Sequence, residues 1–197
     1  MAQYTKEQVL GWLERLEGGR LELNEDNMGL AGAALDLFGY EGRSVLPSGY
    51  LSPHFTLAEL VRSDTATAKG ILNLPDAMEV RNLGRVANVL EEIRSLCGDN
   101  PVLISSAFRS EELNRAVGGV PNSAHRKGLA ADFTIPAFGS PTDICRFLVG
   151  RIDFLGLDQL ICEKTGGHEW VHIGLSDSPP RHQALTITDS GTQIGIV

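Results

Sequence analysis

The chain has 197 residues, of which 42% are hydrophobic and 21% charged, and its net charge is −8. That balance suits one well-buried core with at most a small accessory unit, and it excludes wholesale disorder. An acidic chain with no Lys/Arg run is not expected to bind nucleic acid, and no apolar run reaches the ~18 residues of a membrane span. The first residues, MAQYTKEQVLGWLERLEGG, place acids where a signal peptide would carry its apolar core, so export through a cleaved signal is not expected.

Residues 1–49 read as a helical extension or accessory module, and 50–197 as the main domain. Thr5 can cap a first helix whose apolar side is Val9, Leu10, Trp12, Leu13 and Leu16, ended by Gly18-Gly19. A second starts near Asn24, with Glu25 and Asp26 at its positive end, and stops at Gly39. The Gly-, Ser- and Pro-rich stretch from Gly39 to Tyr50 reads as a linker. Thr56 then caps LAELVRS. Pro75 opens a longer helix with Met78, Val80, Leu83, Val86, Leu90, Ile93 and Leu96 as its expected buried stripe. PVLISSAF reads as a strand and SEELNRAVGG as a short helix capped by Ser110. AADFTI reads as a strand, DICRFLVGRI as a helix entered from Ser140-Pro141, and DQLICEK with EWVHIGL as an antiparallel hairpin turned at TGGH. The tail after Pro179-Pro180 carries little signal and reads as an irregular edge segment. Helices followed by strands make the class α+β.

The three cysteines, Cys97, Cys145 and Cys162, are odd in number and far apart, so they read as small buried thiols rather than a disulfide framework or a zinc knuckle. His54, His168 and His182 read as structural or solvated. Four residues stand apart: His125, Asp132, Glu169 and His172, in the blocks SAHRKGLAADF and EWVHIG. Two imidazoles and a carboxylate can hold zinc and leave a fourth position for water, which is the mark of a catalytic rather than a structural site. Gly128 permits a turn after His125, and Asp132 follows on a strand. On the last strand Trp170, His172 and Gly174 share a face opposite Val171 and Ile173. Glu169 stands at the strand mouth, where an irregular backbone can aim it at the metal to act as the base. Arg109 is the expected cation for the oxyanion or a substrate carboxylate. Taken singly, each of these residues has an ordinary structural reading. The spacing alone leaves a zinc hydrolase and a chain of surface charges both open.

The surrounding residues narrow this. SAHRKGLAADF resembles the SxHxxGxAxD signature of the zinc D-Ala-D-Ala carboxypeptidase family, the DD-peptidases that share a fold with the hedgehog signalling domain, and meets every fixed position of it through Ser123, His125, Gly128, Ala130 and Asp132. EWVHIG is similar to the family's second block, SSAFRSEELNRAVGG to its upstream segment, and FTLAELVRSDTA to a branch common among bacteriophage and prophage proteins. The resemblance spans Leu51 to Leu175 and omits the first fifty residues. It implies an antiparallel sheet with flanking helices, plus a small N-terminal helical region. By the same resemblance, His125, Asp132 and His172 bind Zn2+, Glu169 is the general base, and Arg109 steadies the oxyanion or anchors substrate. Ser123 and Trp170 are then the substrate-binding residues. The implied substrate is a peptidoglycan stem peptide, cut at D-Ala-D-Ala or between L-Ala and D-Glu, by a phage endolysin or virion wall hydrolase whose N-terminal helices could dock on other virion proteins. Two alternatives stay open: a non-enzymatic zinc-bearing wall-binding or virion module, and a zinc amidase acting on a small D-amino-acid peptide.

Overall fold

Strands β3 (Gln159–Thr165) and β4 (His168–Gly174) form a hairpin about Gly166 and Gly167, both with positive φ. Around it the chain builds a sheet whose spatial order is β1-β2-β4-β3-β5-β6. The computed structural model describes residues 49–197, and the expected helices before Gly39 lie outside them. The flanking elements are α1 (Leu57–Val61), α2 (Asp64–Lys69), α3 (Ala77–Leu96), β1 (Leu103–Ser106), α4 (Glu111–Ala116), a 3-10 turn (Ala124–Lys127), β2 (Ala130–Thr134) and α5 (Pro141–Val149). Strands β5 (Gln183–Thr188) and β6 (Gly191–Ile194) complete the sheet. Among the described residues no helix is long and apolar enough to cross a membrane.

Local chemistry sets the helix ends. Thr56 Oγ1 accepts from Glu59 N at the start of α1, and Ser63 Oγ accepts from Ala66 N at the start of α2. Asp76 and Glu79 form a reciprocal capping box for α3, and Ser140 with Asp143 does the same for α5. Helix α3 buries Val80, Leu83, Val86, Leu90 and Ile93 as its periodicity demands, but Met78 is 60% exposed and leaves the expected stripe.

Three features depart from the sequence reading. The short helix α2 was not expected. Nor were β5 and β6, in the tail that read as irregular. The sheet is not antiparallel throughout, because β5 pairs with β3 in parallel, Gln159 to Lys164 facing Gln183 to Thr188 in register. The other strand pairs are antiparallel. A parallel partner must arrive by a crossover, which no local turn signal announces.

The sheet has two distinct faces. Ala131, Phe133, Leu160, Cys162, Val171 and Ile173 point into the core with helices α3 and α5. The other face carries Asp132, Ile161, Glu163, Trp170 and His172, which line a groove of about 940 Å3. All three cysteines are buried and free.

Candidate active site

The two halves of the site meet through strand register. Asp132 on β2 is directly opposite His172 on β4, which in turn faces Ile161 on β3. Residues directly opposite share a face, so the carboxylate and the imidazole project together into the groove. His125 comes from the 3-10 turn that precedes β2. That turn is pressed against α3: Asn82 Nδ2 donates to Lys127 O at 2.8 Å, and Gly128 takes φ 66° where a Cβ would stand 2.5 Å from Glu79 O. Only glycine meets both demands.

The three side chains are nearly closed to solvent, at 3% for His125, 5% for Asp132 and 8% for His172, so their polar atoms depend on each other. His125 Nδ1 donates to Ala107 O at 2.6 Å, which leaves the Nε2 lone pair facing the groove. That Nε2 lies 3.3 Å from His172 Nδ1 and 3.3 Å from Asp132 Oδ1, while His172 Nδ1 lies 2.8 Å from the same oxygen. The candidate ligand atoms of all three residues fall within 4.8 Å of one another. Zinc–ligand bonds of about 2.05 Å in a tetrahedron put donors about 3.3 Å apart (2.05 × 1.63). The spacing and the two-imidazole, one-carboxylate chemistry therefore fit zinc.

Electrostatics favour the same state. Burial drives His125 toward its neutral form, against the pull of Asp132. Burial would raise Asp132, but the imidazoles and their hydrogen bonds outweigh it and hold the carboxyl well below the usual range. Neutral imidazole and ionised carboxylate are the ligand forms a metal requires.

Arg109 lies in the groove, but its guanidinium is engaged: Nη2 donates to Asp132 Oδ2 at 2.6 Å and Nε to Ser106 Oγ at 2.8 Å. One carboxylate oxygen of Asp132 is thus held by arginine while the other faces the imidazoles. An irregularity between Ile104 and Ser106 in β1 brings Ser106 opposite Asp132. Buried Asn73, which the sequence reading passed over, fixes the backbone here: Nδ2 donates to Val61 O and Phe108 O, and Oδ1 accepts from Ser110 N. Ser123 and Trp170 both line the groove, and the buried Trp170 Nε1 finds no acceptor among the described residues.

Glu169 is not with this group. The β3–β4 register runs without interruption from Gln159–Gly174 to Thr165–His168, so the expected backbone irregularity is absent. Alternation then puts Glu169 on the face of Val171, opposite His172. Its charge is felt there by the buried thiol of Cys145 on α5, and it does not line the groove. The carboxylate that does is Glu163, directly opposite Trp170 and half-buried. Burial and the charge of Asp132 push Glu163 above its ordinary value, against His172 and Arg109. The signal that could have found it is the same alternation, since Ile161 and Glu163 share a face opposite Leu160 and Cys162.

His54, His168 and His182 lie outside the groove. His54 pairs with Glu91 at 2.9 Å, and His182 with Asp153 at 3.2 Å.

A family model described as Peptidase M15 matches residues 53–173, more than half of the chain. The chain belongs to the peptidase M15 family. His125, Asp132 and His172, which together could hold a metal ion, all fall within the matched residues. This M15 peptidase is also 35% identical over 79 residues to the zinc D-Ala-D-Ala carboxypeptidase of Streptomyces albus G. The aligned stretch is 40% of this chain but 30% of that protein, so the chain spans under a third of the length of the curated relative it matches.

Proposed function

We propose that the protein hydrolyses an amide bond in peptidoglycan stem peptides, at a site built from His125, Asp132 and His172 with Glu163 as the proton-transferring base. The observation that carries this reading is the register of the β3–β4 hairpin. It projects Glu163 into the groove on the same face as His172, two residue pairs along the strands. The similarity to a zinc D-Ala-D-Ala carboxypeptidase supports the substrate class.

Zinc, when bound by the three ligands, supplies a Lewis acid that makes water nucleophilic near neutrality and polarises the scissile carbonyl. The protein's own groups do the rest. Arg109 holds one oxygen of Asp132 and so fixes which oxygen faces the imidazoles. Its Nη1 has no hydrogen-bond partner among the described residues and is available to a substrate oxygen. Glu163, kept weakly acidic by its surroundings, takes the proton of the attacking water and returns it to the leaving amine. Ser123 and the indole N–H of Trp170 offer polar contacts along the peptide. The site of action is then the bacterial cell wall. A phage endolysin or virion-borne hydrolase is the setting that suits the phage-like FTLAELVRSDTA segment, with residues 1–49 as a docking or wall-binding module.

The test is digestion of purified sacculi by the wild type, Glu163→Gln and Glu169→Gln, read by mass spectrometry of the muropeptides. Loss of a terminal alanine identifies a carboxypeptidase, and release of whole stem peptides a lytic endopeptidase. Both should vanish in Glu163→Gln alone. An unchanged muropeptide profile with the wild type would sink the proposal.

A further inference from the structure

At the far end of the groove from His125, Arg181 is held by Asp158, and no step above uses either. Asp158 is 7% exposed. Its Oδ1 accepts from Arg181 N at 2.8 Å and from Arg181 Nε at 3.0 Å, and its Oδ2 from Arg181 Nη2 and Nε. The carboxylate occupies the side edge of the guanidinium. The outer edge, Nη1 with the second N–H of Nη2, has no hydrogen-bond partner among the described residues. The Arg181 side chain is 59% exposed and lines the groove. His182, the next residue, has φ 51°. That is the left-handed region, which non-glycine residues adopt infrequently.

Register gives the distance from the reaction centre. His172 faces Ile161, and Gly174 faces Gln159. Asp158 is three residues before Ile161, about 10 Å along a strand. Between the two points Gln159 lines the groove, its Nε2 donating to Gln183 Oε1 at 2.8 Å. An extended peptide covers about 10 Å in three residues.

We propose that Arg181, fixed by Asp158, is a specificity-determining residue that binds an internal carboxylate of the peptide substrate, about three residues from the bond that is cut. Two parallel N–H groups on a rigid guanidinium match a carboxylate and not a carboxamide. This deepens the proposed peptidase reading and rests on it for the substrate class.

The experiment uses two synthetic stem peptides that both keep a free terminal carboxyl. One has its internal carboxylates free and the other has them amidated. Binding is measured by calorimetry on zinc-loaded protein carrying Glu163→Gln, with peptide integrity checked by mass spectrometry, and again with Arg181→Lys added. The lysine keeps a cation beside Asp158 but removes the two-pronged edge. The free-acid peptide should bind about tenfold tighter, and Arg181→Lys should remove most of that preference. Equal binding of the two peptides, a preference that survives Arg181→Lys, or no binding of either would each overturn the assignment. Sacculus digestion by the wild type separates the two ideas. Acid-selective binding with no cleavage would sink the peptidase reading and leave the clamp. Cleavage with no acid selectivity would do the reverse.

Discussion

Glu163 and Trp170 face each other across the β3–β4 hairpin. That pairing decides which carboxylate of this segment reaches the groove. Glu169 is one residue from Trp170 in the chain but on the other side of the sheet, and Glu163 is seven residues away yet on the same side.

The first prediction follows from it. Glu163→Gln should lower kcat on stem peptides by about 100-fold or more, the usual scale for removing a positioned base. Glu169→Gln should stay within about twofold of wild type, because the side chain is exposed on the opposite face. Steady-state kinetics on one defined peptide decides between them. A dead Glu169→Gln beside an active Glu163→Gln would reverse the assignment.

Metal removal should show in stability as well as in activity. A ligand at a thousandfold excess over its dissociation constant adds about 4 kcal/mol to the folded state. For a chain of this size that is about 10 °C in Tm. Calorimetric melts with zinc and with a chelator should differ on that scale. His172→Ala should remove the difference and lower the zinc content from one ion per chain to none.

Gly128→Ala should be costly although it adds one methyl group. The position needs φ 66°, and the new Cβ would stand 2.5 Å from Glu79 O on α3. We expect a loss of about 2 kcal/mol or more in denaturant titration. Zinc affinity should fall too, since the same turn carries His125. Retained stability would mean that α3 can yield at this point.

Acid should release the segment before α1. Glu91 accepts from Ser52 Oγ and His54 N and pairs with His54 and Arg94. Burial would raise its pKa, but these hydrogen bonds outweigh that and hold it below the ordinary glutamate value. A group depressed in the folded state contributes stability that is present above its unfolded value and is lost as pH falls through the folded one. The wild type should therefore lose stability as pH drops below 4.5, and Glu91→Gln should be weaker at neutral pH, by about 1 kcal/mol, and flatter across the acid range. Parallel curves for the two proteins would show that this carboxylate carries no such linkage.

Much of this was legible in the sequence, where local chemistry decides the outcome. Thr56, Ser110 and Ser140 are helix caps because their hydroxyls satisfy N–H groups a few residues on, a rule that needs no tertiary information. Alternation in EWVHIG placed His172 and Trp170 on one face, and the structure shows both in the groove. Glu169 failed on the same rule: its reach to the metal required an irregularity that uninterrupted pairing to Lys164 excludes. Strand β5 was missed because its pairing is settled by the distant β3, and β6, which pairs with β5, went with it; QALTIT follows polar and proline residues that read as a tail. Asn73 in its loop and Asp158 at the start of DQLICEK escaped notice because an isolated polar residue does not disclose its burial.

The parallel pairing of β5 with β3 bears on where the domain can safely be cut. The family match ends at residue 173. A fragment trimmed there would keep the three metal-ligand candidates yet strip β3 of its neighbour on one side. It would bare a ladder of unpaired amides from Gln159 to Lys164, with the apolar side chains of Leu160 and Cys162 beside it. An open edge of that kind recruits strands from other copies. Insoluble material from such a fragment would therefore reflect the missing strand rather than a defect in the metal centre, and shortened versions should extend at least through β5.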